Sequence, residues 1–214
     1  MPKRTICRKQ YIALRGQMPK EEVLTKSVDI CDKVLNSEIY KQAQVILAYY
    51  PLGNEVNCLP VLEDALKHGK RVMLPRTAMD SQMDFYEIHS LTDVEEGHFH
   101  VMEPKVSCKK FEADRRECKS NCFLMEDLQN ESEILVLVPG VVFDCNGNRY
   151  GYGKGYYDRY FSRFPHLKRV ALAYSEQLSE EPLECLETDV KMHAIVTEGE
   201  FLVMGQPLVD LANS

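Results

Sequence analysis

The chain contains no tryptophan, no Cys-x-x-Cys pair, no excess of basic charge and no long apolar run. Each absence removes a class of protein. Uninterrupted apolar stretches such as Ile134 to Val138 end after a few residues, whereas a membrane-spanning helix needs about 20. Met1-Pro2-Lys3-Arg4 begins basic, but polar residues interrupt before the apolar segment of a secretory signal forms. Lys+Arg 26 against Asp+Glu 33 gives a net charge of −7, so the chain lacks the net basic face of a nucleic-acid binder. The first 20 residues are the exception, with Lys3, Arg4, Arg8, Lys9, Arg15 and Lys20. That density is too sparse for a nucleic-acid tail and sufficient for one compact polyanion such as a nucleotide triphosphate.

The 8 cysteines are irregularly spaced, the pattern of reduced thiols serving mostly as small core residues. His98, His100, Cys108, Cys118 and Cys122 could between them supply four zinc ligands. The stretch is charged and lacks a tight ligand pair at either end, which argues against zinc. What is present fits a single domain over residues 1–214, with 44% hydrophobic and 28% charged residues. The chain is expected to be cytoplasmic and monomeric, with no nucleic-acid or membrane partner.

Residues 4 to 17 and 20 to 36 read as helices, the second with Val23, Val28, Ile30, Cys31, Val34 and Leu35 on one stripe. Residues 45 to 50 read as a buried strand, 58 to 68 as a helix closed by Gly69, and 71 to 74 as a strand ended by Pro75. This is a βαβ unit. Residues 84 to 88, 135 to 138, 170 to 174 and 194 to 196 give further strands, the 135 to 138 segment apolar on both faces as a central parallel strand should be. Residues 105 to 133, charged and aperiodic, read as a surface excursion. Strands alternating with helices predict a Rossmann-like, three-layer α/β/α fold with a mainly parallel central sheet.

The chemistry is concentrated in residues 135 to 161, LVLVPGVVFDCNGNRYGYGKGYYDRYF. The segment leaves a buried strand, crosses a loop with Gly147, Gly151, Gly153 and Gly155, and enters a helix near Tyr156. Glycines let backbone N–H groups approach an anion, and the helix N-terminus adds its positive dipole end. Lys154 supplies a mobile charge and Arg149 a fork of donors. The spacing is neither that of a Walker loop nor that of the dinucleotide fingerprint. A tight turn would also want glycines, but it has no use for Lys154 and Arg149.

Tyr157, Tyr160, Phe161 and Phe164 recur at helical spacing and read mostly as core, while Tyr152 and Tyr156 lie off that stripe and could stack on a flat heterocycle. Asp158, in the first helical turn, suits either Mg²⁺ beside a phosphate or a simple N-terminal helix charge. Glu55 and Arg76 follow strands at the edge where open α/β sheets place ligands. Asp189 lies just before the last strand in an acidic stretch that also reads as a solvated loop. Cys145, beside the glycine loop with no histidine nearby, reads as an unreactive thiol.

Val138-Pro139-Gly140, Phe143-Asp144 and the run Gly147 to Asp158 closely resemble the signature of the 5-formyltetrahydrofolate cyclo-ligase family. Supporting matches are Arg4 and Arg8, Tyr50-Pro51 to Glu55, Leu74-Pro75-Arg76, and Asp189 with Lys191. The resemblance implies ATP, Mg²⁺ and a reduced formylfolate as reactants. It assigns the ATP phosphates to Lys3, Arg4 and Arg8, and the nucleotide loop to Arg149, Tyr150, Gly151, Tyr152, Gly153, Lys154, Gly155, Tyr156 and Tyr157. It places Tyr50 and Glu55 against the folate, Tyr152 to Tyr156 between the two substrates, and Asp158 and Asp189 on the metal. Lys154, Arg149 and Tyr156 would carry the catalytic work. Phe99 stands where the family usually has a tryptophan, and would stack on the pterin with less area. A sugar-phosphate isomerase, which needs no ATP, and a non-catalytic folate or nucleotide binder are the rival classes.

Overall fold

The computed structural model describes residues 3–78, 82–97, 100–112, 123–124 and 133–204. Helix α1 (Lys3–Gly16) buries only Arg15 among its residues, so it rests on the body of the protein through a charge and not an apolar stripe. Helix α2 (Lys20–Asn36) starts after Pro19 with Glu21 and Glu22 in its first turn, and buries Val23, Ser27, Ile30, Cys31 and Val34. Val28, expected on that stripe, is exposed. The 3.6-residue repeat from Val23 falls on Ser27, whose hydroxyl shares a hydrogen bond of 3.2 Å with that of Tyr174. Helix α3 (Glu38–Gln42), capped by Ser37, leads into strand β1 (Val45–Leu47).

Helix α4 (Leu59–Lys67) follows, and Gly69 leaves it in left-handed backbone at φ 73°. Strand β2 (Arg71–Thr77) pairs parallel with β1, as the βαβ reading requires. Contrary to expectation, β2 does not stop at Pro75. It continues antiparallel to β3 (Met83–Ile88), with Pro75 opposite Phe85. The Met73 carbonyl accepts from Ala48 on the β1 side. Two residues on, the proline nitrogen faces that same side, where β1 has already ended and no ladder bond is lost.

The sheet is completed by β8 (Ile134–Val138), β11 (Lys168–Leu172), β13 (Ala194–Val196) and β14 (Phe201–Val203). Its order is β14-β13-β11-β8-β1-β2-β3, parallel from β13 to β2 with an antiparallel strand at each edge. Strand β8 is central and buried at all five positions. The small pairs are β4 (Val94–Glu96) with β5 (Met102–Pro104), and β6 (Phe111–Glu112) with β7 (Phe123–Leu124). A third unit joins β9 (Val142–Asp144), β10 (Arg149–Tyr150) and β12 (Leu178–Ser179).

Alternate residues of each strand feed two cores. Ile46, Val72, Leu135 and Val170 pack with Val23, Ile30, Val34 and Leu62 of α2 and α4. Val45, Leu47, Met73, Val136 and Val138 pack with Tyr160 and Phe161 of α5 (Tyr156–Arg163) and with Phe164 just beyond it. Helices therefore cover both faces of a mainly parallel sheet, the three-layer fold predicted above. From β1 the chain crosses through α4 to β2; from the adjacent β8 it crosses through α5, on the other face, to β11. Connections diverging from neighbouring strands open a crevice at their carboxyl ends, the favoured ligand position of open α/β sheets. Phe111 reaches the second core, so the start of the excursion is anchored inside the protein. No described helix is long and apolar enough to cross a membrane.

Candidate active site

A cavity of about 1610 Å³ lies at that crevice, larger than the roughly 300–1,000 Å³ usual for one small ligand. Tyr49, Tyr50, Leu52 and Glu55 enter it from the end of β1, and Pro139 and Gly140 from the end of β8. Seven lysines and arginines and five acidic residues are among its described walls, so a chain of net charge −7 turns a net positive lining inward.

Between β8 and α5 the chain forms a hairpin, β9 with β10, before the glycine loop, where the sequence predicts continuous loop. Asp144 caps the hairpin, its Oδ1 accepting from the amides of Asn146 and Asn148 at 2.9 Å each. Beyond β10, Gly151 to Gly155 line the cavity. The Gly151 carbonyl accepts from Arg8 Nε at 2.8 Å. A Cβ at Gly151 would stand 2.7 Å from Arg149 Nη1, so only glycine lets that guanidinium lie against the loop. Gly155 takes φ 68° and opens α5, where a Cβ would meet Arg159 at 2.8 Å. The Lys154 side chain is exposed on the cavity wall, and its carbonyl accepts from Arg159 Nη2 at 2.7 Å.

Arg149 and Asp158 face each other at 3.4 Å, with the Arg149 side chain only 4% exposed. Arg149 Nη1 also donates to the Pro139 carbonyl at 3.2 Å. Arg4 pairs with Asp189 at 2.9 Å and stacks over the Tyr150 ring at 4.5 Å. The Val190 amide donates to Asp158 Oδ1 at 3.3 Å, so the two aspartates stand on adjoining backbone. Tyr157 borders the cavity and packs on Phe161, while Tyr160, Phe161 and Phe164 are buried as the spacing predicted.

The wall at the end of β1 is built around a buried carboxylate. Glu55 Oε2 accepts from the Leu52 amide at 3.0 Å, and the Tyr152 hydroxyl donates to the carboxylate. Burial pushes the Glu55 pKa up, against the opposing pull of the Arg15 charge 3.9 Å away. Arg15 Nη1 donates to the Gly140 carbonyl at 3.0 Å, and its Nη2 to Tyr152 Oη. Arg15 was visible in sequence only as one of several N-terminal cations; its single signal was a charge in the otherwise apolar last turn of α1.

Arg4, Arg8, Tyr50, Glu55, Arg149, Gly151, Tyr152, Gly153, Lys154, Gly155, Tyr156, Tyr157, Asp158 and Asp189 are thus brought to one cavity. Three expected residues are not. Lys3 pairs with exposed Glu184 at 3.1 Å in a separate shallow groove. Tyr150 lies beneath Arg4 and Arg8 and donates to the Glu184 carbonyl at 2.7 Å, supporting the arginines from below. Arg76 donates to the Pro104 carbonyl at 2.9 Å and stacks on Tyr86. Phe99, like His98, Cys118 and Cys122 of the zinc candidates, lies outside the described residues. Cys108 Sγ donates to the Asp93 carbonyl at 3.6 Å. Thr77, Glu103 and Lys110 also line the cavity, though no local pattern marked them. Buried Glu103 accepts from the Thr77 amide and hydroxyl at 3.1 and 2.8 Å.

Fold and site together define an α/β protein with a cation-lined cleft at the carboxyl ends of its strands and a glycine-rich loop leading into a helix. The chain belongs to the 5-formyltetrahydrofolate cyclo-ligase family, whose sequence model matches residues 1–198. It is 30% identical to the 5-formyltetrahydrofolate cyclo-ligase of Mus musculus over 188 residues, 83% of this chain and 85% of the mouse protein. A probable 5-formyltetrahydrofolate cyclo-ligase of Caenorhabditis elegans is 27% identical over 89% of this chain and 90% of its own length. The solved 5,10-methenyltetrahydrofolate synthetase of Aquifex aeolicus superposes with a TM-score of 0.73 at 26% identity, covering 97% of this chain and 96% of that one.

Proposed function

We propose that this chain converts 5-formyltetrahydrofolate and ATP to 5,10-methenyltetrahydrofolate, ADP and phosphate. The observation that carries the reading is one oversized cavity joining the glycine loop and its arginines to the Glu55–Tyr152 wall. A polyanion fits the first half and a flat heterocycle the second.

An N-formyl group is a weak electrophile, and its oxygen must leave for the ring to close. Transfer of the γ-phosphoryl group to the formyl oxygen forms a P–O bond and breaks the bond to ADP. N10 then attacks the activated carbon, the carbon–oxygen bond breaks, and phosphate departs with the N10 proton. Such a reaction asks for alignment and charge neutralisation more than for a nucleophilic side chain. Arg8 and Lys154 supply charge at the loop, Tyr152 and Tyr156 present ring faces between the substrates, and Tyr50 and Glu55 orient the folate.

Asp158 and Asp189 have the donor chemistry for Mg²⁺, which commonly takes one or two carboxylates and completes its shell with phosphate oxygens and water. Among the described residues no group of three or more candidate ligands gathers, which suits a metal shared with a nucleotide and not a closed protein cage. These two carboxylates would hold Mg²⁺, which would supply charge neutralisation at the phosphates. Arg149 and Arg4 pair with these carboxylates and hold them in place.

The test is a spectrophotometric assay with 5-formyltetrahydrofolate and Mg²⁺, with and without ATP. ATP-dependent growth of the methenyl band in the near ultraviolet is expected. Binding of both ligands without that band would indicate a silent binder, and turnover of a sugar phosphate without ATP would indicate an isomerase.

A further inference from the structure

We propose that Arg15 is a positioning residue that fixes the Glu55 carboxylate of the folate wall, anchored in turn by its bonds to the Gly140 carbonyl and the Tyr152 hydroxyl. The inference rests on the cyclo-ligase reading above. Arg15 is 7% exposed and is not among the residues lining the cavity, so it acts through its partners. Its guanidinium reaches three segments: the Gly140 carbonyl beyond the central strand, the Tyr152 hydroxyl in the glycine loop, and Glu55 beyond β1. Its own carbonyl accepts from Asn54 Nδ2 at 3.1 Å, tying the end of α1 to the Glu55 loop a second time. A planar fork of five donors can span three acceptors at once; a lysine ammonium, a compact charge on a flexible stem, cannot hold them in the same geometry.

The electrostatics give the assignment a signature. Burial favours the neutral form of Glu55, and the Arg15 charge is the first influence opposing it, followed by the Leu52 amide and the Tyr152 hydroxyl. Among the described residues, Tyr49, Cys58, Tyr152, Tyr157 and Tyr174 also feel this carboxylate, and all are neutral near pH 7. Without the guanidinium, Glu55 takes up its proton at a higher pH. A merely structural residue would lower thermal stability without moving this titration.

The experiment compares wild type, Arg15→Gln, Arg15→Lys and Tyr152→Phe in the methenyl assay, across pH and at varied ATP and 5-formyltetrahydrofolate. Arg15→Gln should raise the formylfolate KM by roughly 10-fold or more, the effect of losing a hydrogen bond to a charged group. Its ATP KM should stay within about threefold, and the acid limb of kcat/KM should move up by about one pH unit. Arg15→Lys keeps the charge and loses the fork, so its KM should rise while the acid limb stays near the wild-type position. Tyr152→Phe keeps the ring and should raise the formylfolate KM alone, which preserves the test if Arg15→Gln fails to fold. An unmoved acid limb in Arg15→Gln overturns the proposal, as does an ATP KM that rises as far as the formylfolate KM. Absence of wild-type turnover would instead overturn the cyclo-ligase reading itself.

Discussion

Replacing Tyr157 by Phe should stabilise the fold and impair turnover in the same variant. The Tyr157 hydroxyl is sealed from solvent and has no hydrogen-bond partner among the described residues. Burial, reinforced by the Glu55 charge, raises its pKa, so it stands as a neutral donor. The ring borders the cavity, lies 5.9 Å from that of Phe161 and carries the Arg149 guanidinium at 5.4 Å. None of these contacts needs the oxygen. A buried hydroxyl without a partner costs roughly 1–3 kcal/mol, and Phe removes it while keeping the ring. A net gain of about 1 kcal/mol corresponds to roughly 2–4 °C in Tm for a chain of this size. Turnover moves the other way where ligand entry gives the hydroxyl the partner it lacks in the free protein. One neutral hydrogen bond contributes about 0.5–1.5 kcal/mol, so kcat/KM should fall roughly two- to twelvefold. Urea and thermal unfolding followed by circular dichroism read the first effect, and the methenyl assay reads the second. A Tm lowered by more than about 2 °C would show that the oxygen is bonded in the free protein and refute the argument. Unchanged kcat/KM beside a raised Tm would show that the hydroxyl meets no substrate.

Three further substitutions separate charge, metal and packing. Lys154→Ala should lower kcat by roughly 10²–10³-fold, the usual effect of removing one preorganised donor to a charge developing in the transition state, with little change in Tm because the side chain is exposed. A near-wild-type rate would place the transferring phosphate elsewhere. Asp158→Asn should raise the Mg²⁺ concentration at half-maximal rate, and should lower stability by about 1–3 kcal/mol because Arg149 loses its carboxylate at 3.4 Å. A Mg²⁺ titration matching wild type would move the metal off Asp158. Gly140→Ala should lower the stability read by urea unfolding by about 1–3 kcal/mol, because its Cβ would lie 2.3 Å from the ring of fully buried Phe143. An unshifted urea midpoint would mean that the ring has room to retreat.

The layers and the parallel centre of the sheet were legible because they depend on contiguous patterns. Five apolar residues from Ile134 to Val138 announce a strand covered on both faces, and the 45–74 segment announces a βαβ crossover. What was missed depends on partners distant in sequence. Pro75 seemed to end its strand because proline cannot donate, yet the side it faces has no strand beside it at that level. Val28 is apolar and in phase, yet the buried position beside it is Ser27. Tyr174, 147 residues away, supplies the hydroxyl that makes Ser27 the better buried residue. Strand β14 closes an edge with three half-buried residues, too short to stand out.

The same distinction governs the site. The glycine loop could be read because its demands are local: backbone room beside Arg149, left-handed geometry at Gly155, and a helix start directly after it. Arg15 could not be read in the same way, because nothing within its own helix needs a cation there. Its role appears only when the end of α1 is folded against residues 40, 125 and 137 positions further along the chain. Lys3 shows the converse: it shares the basic patch with Arg4 and Arg8, but the helix turns it outward to Glu184, while Arg4 and Arg8 turn toward Tyr150 and the loop. Charge density along a sequence therefore marks where a polyanion could be met. Which of those charges meets it is fixed by the helical rotation between residues 3, 4, 8 and 15 and by the surfaces that the rest of the chain brings against them.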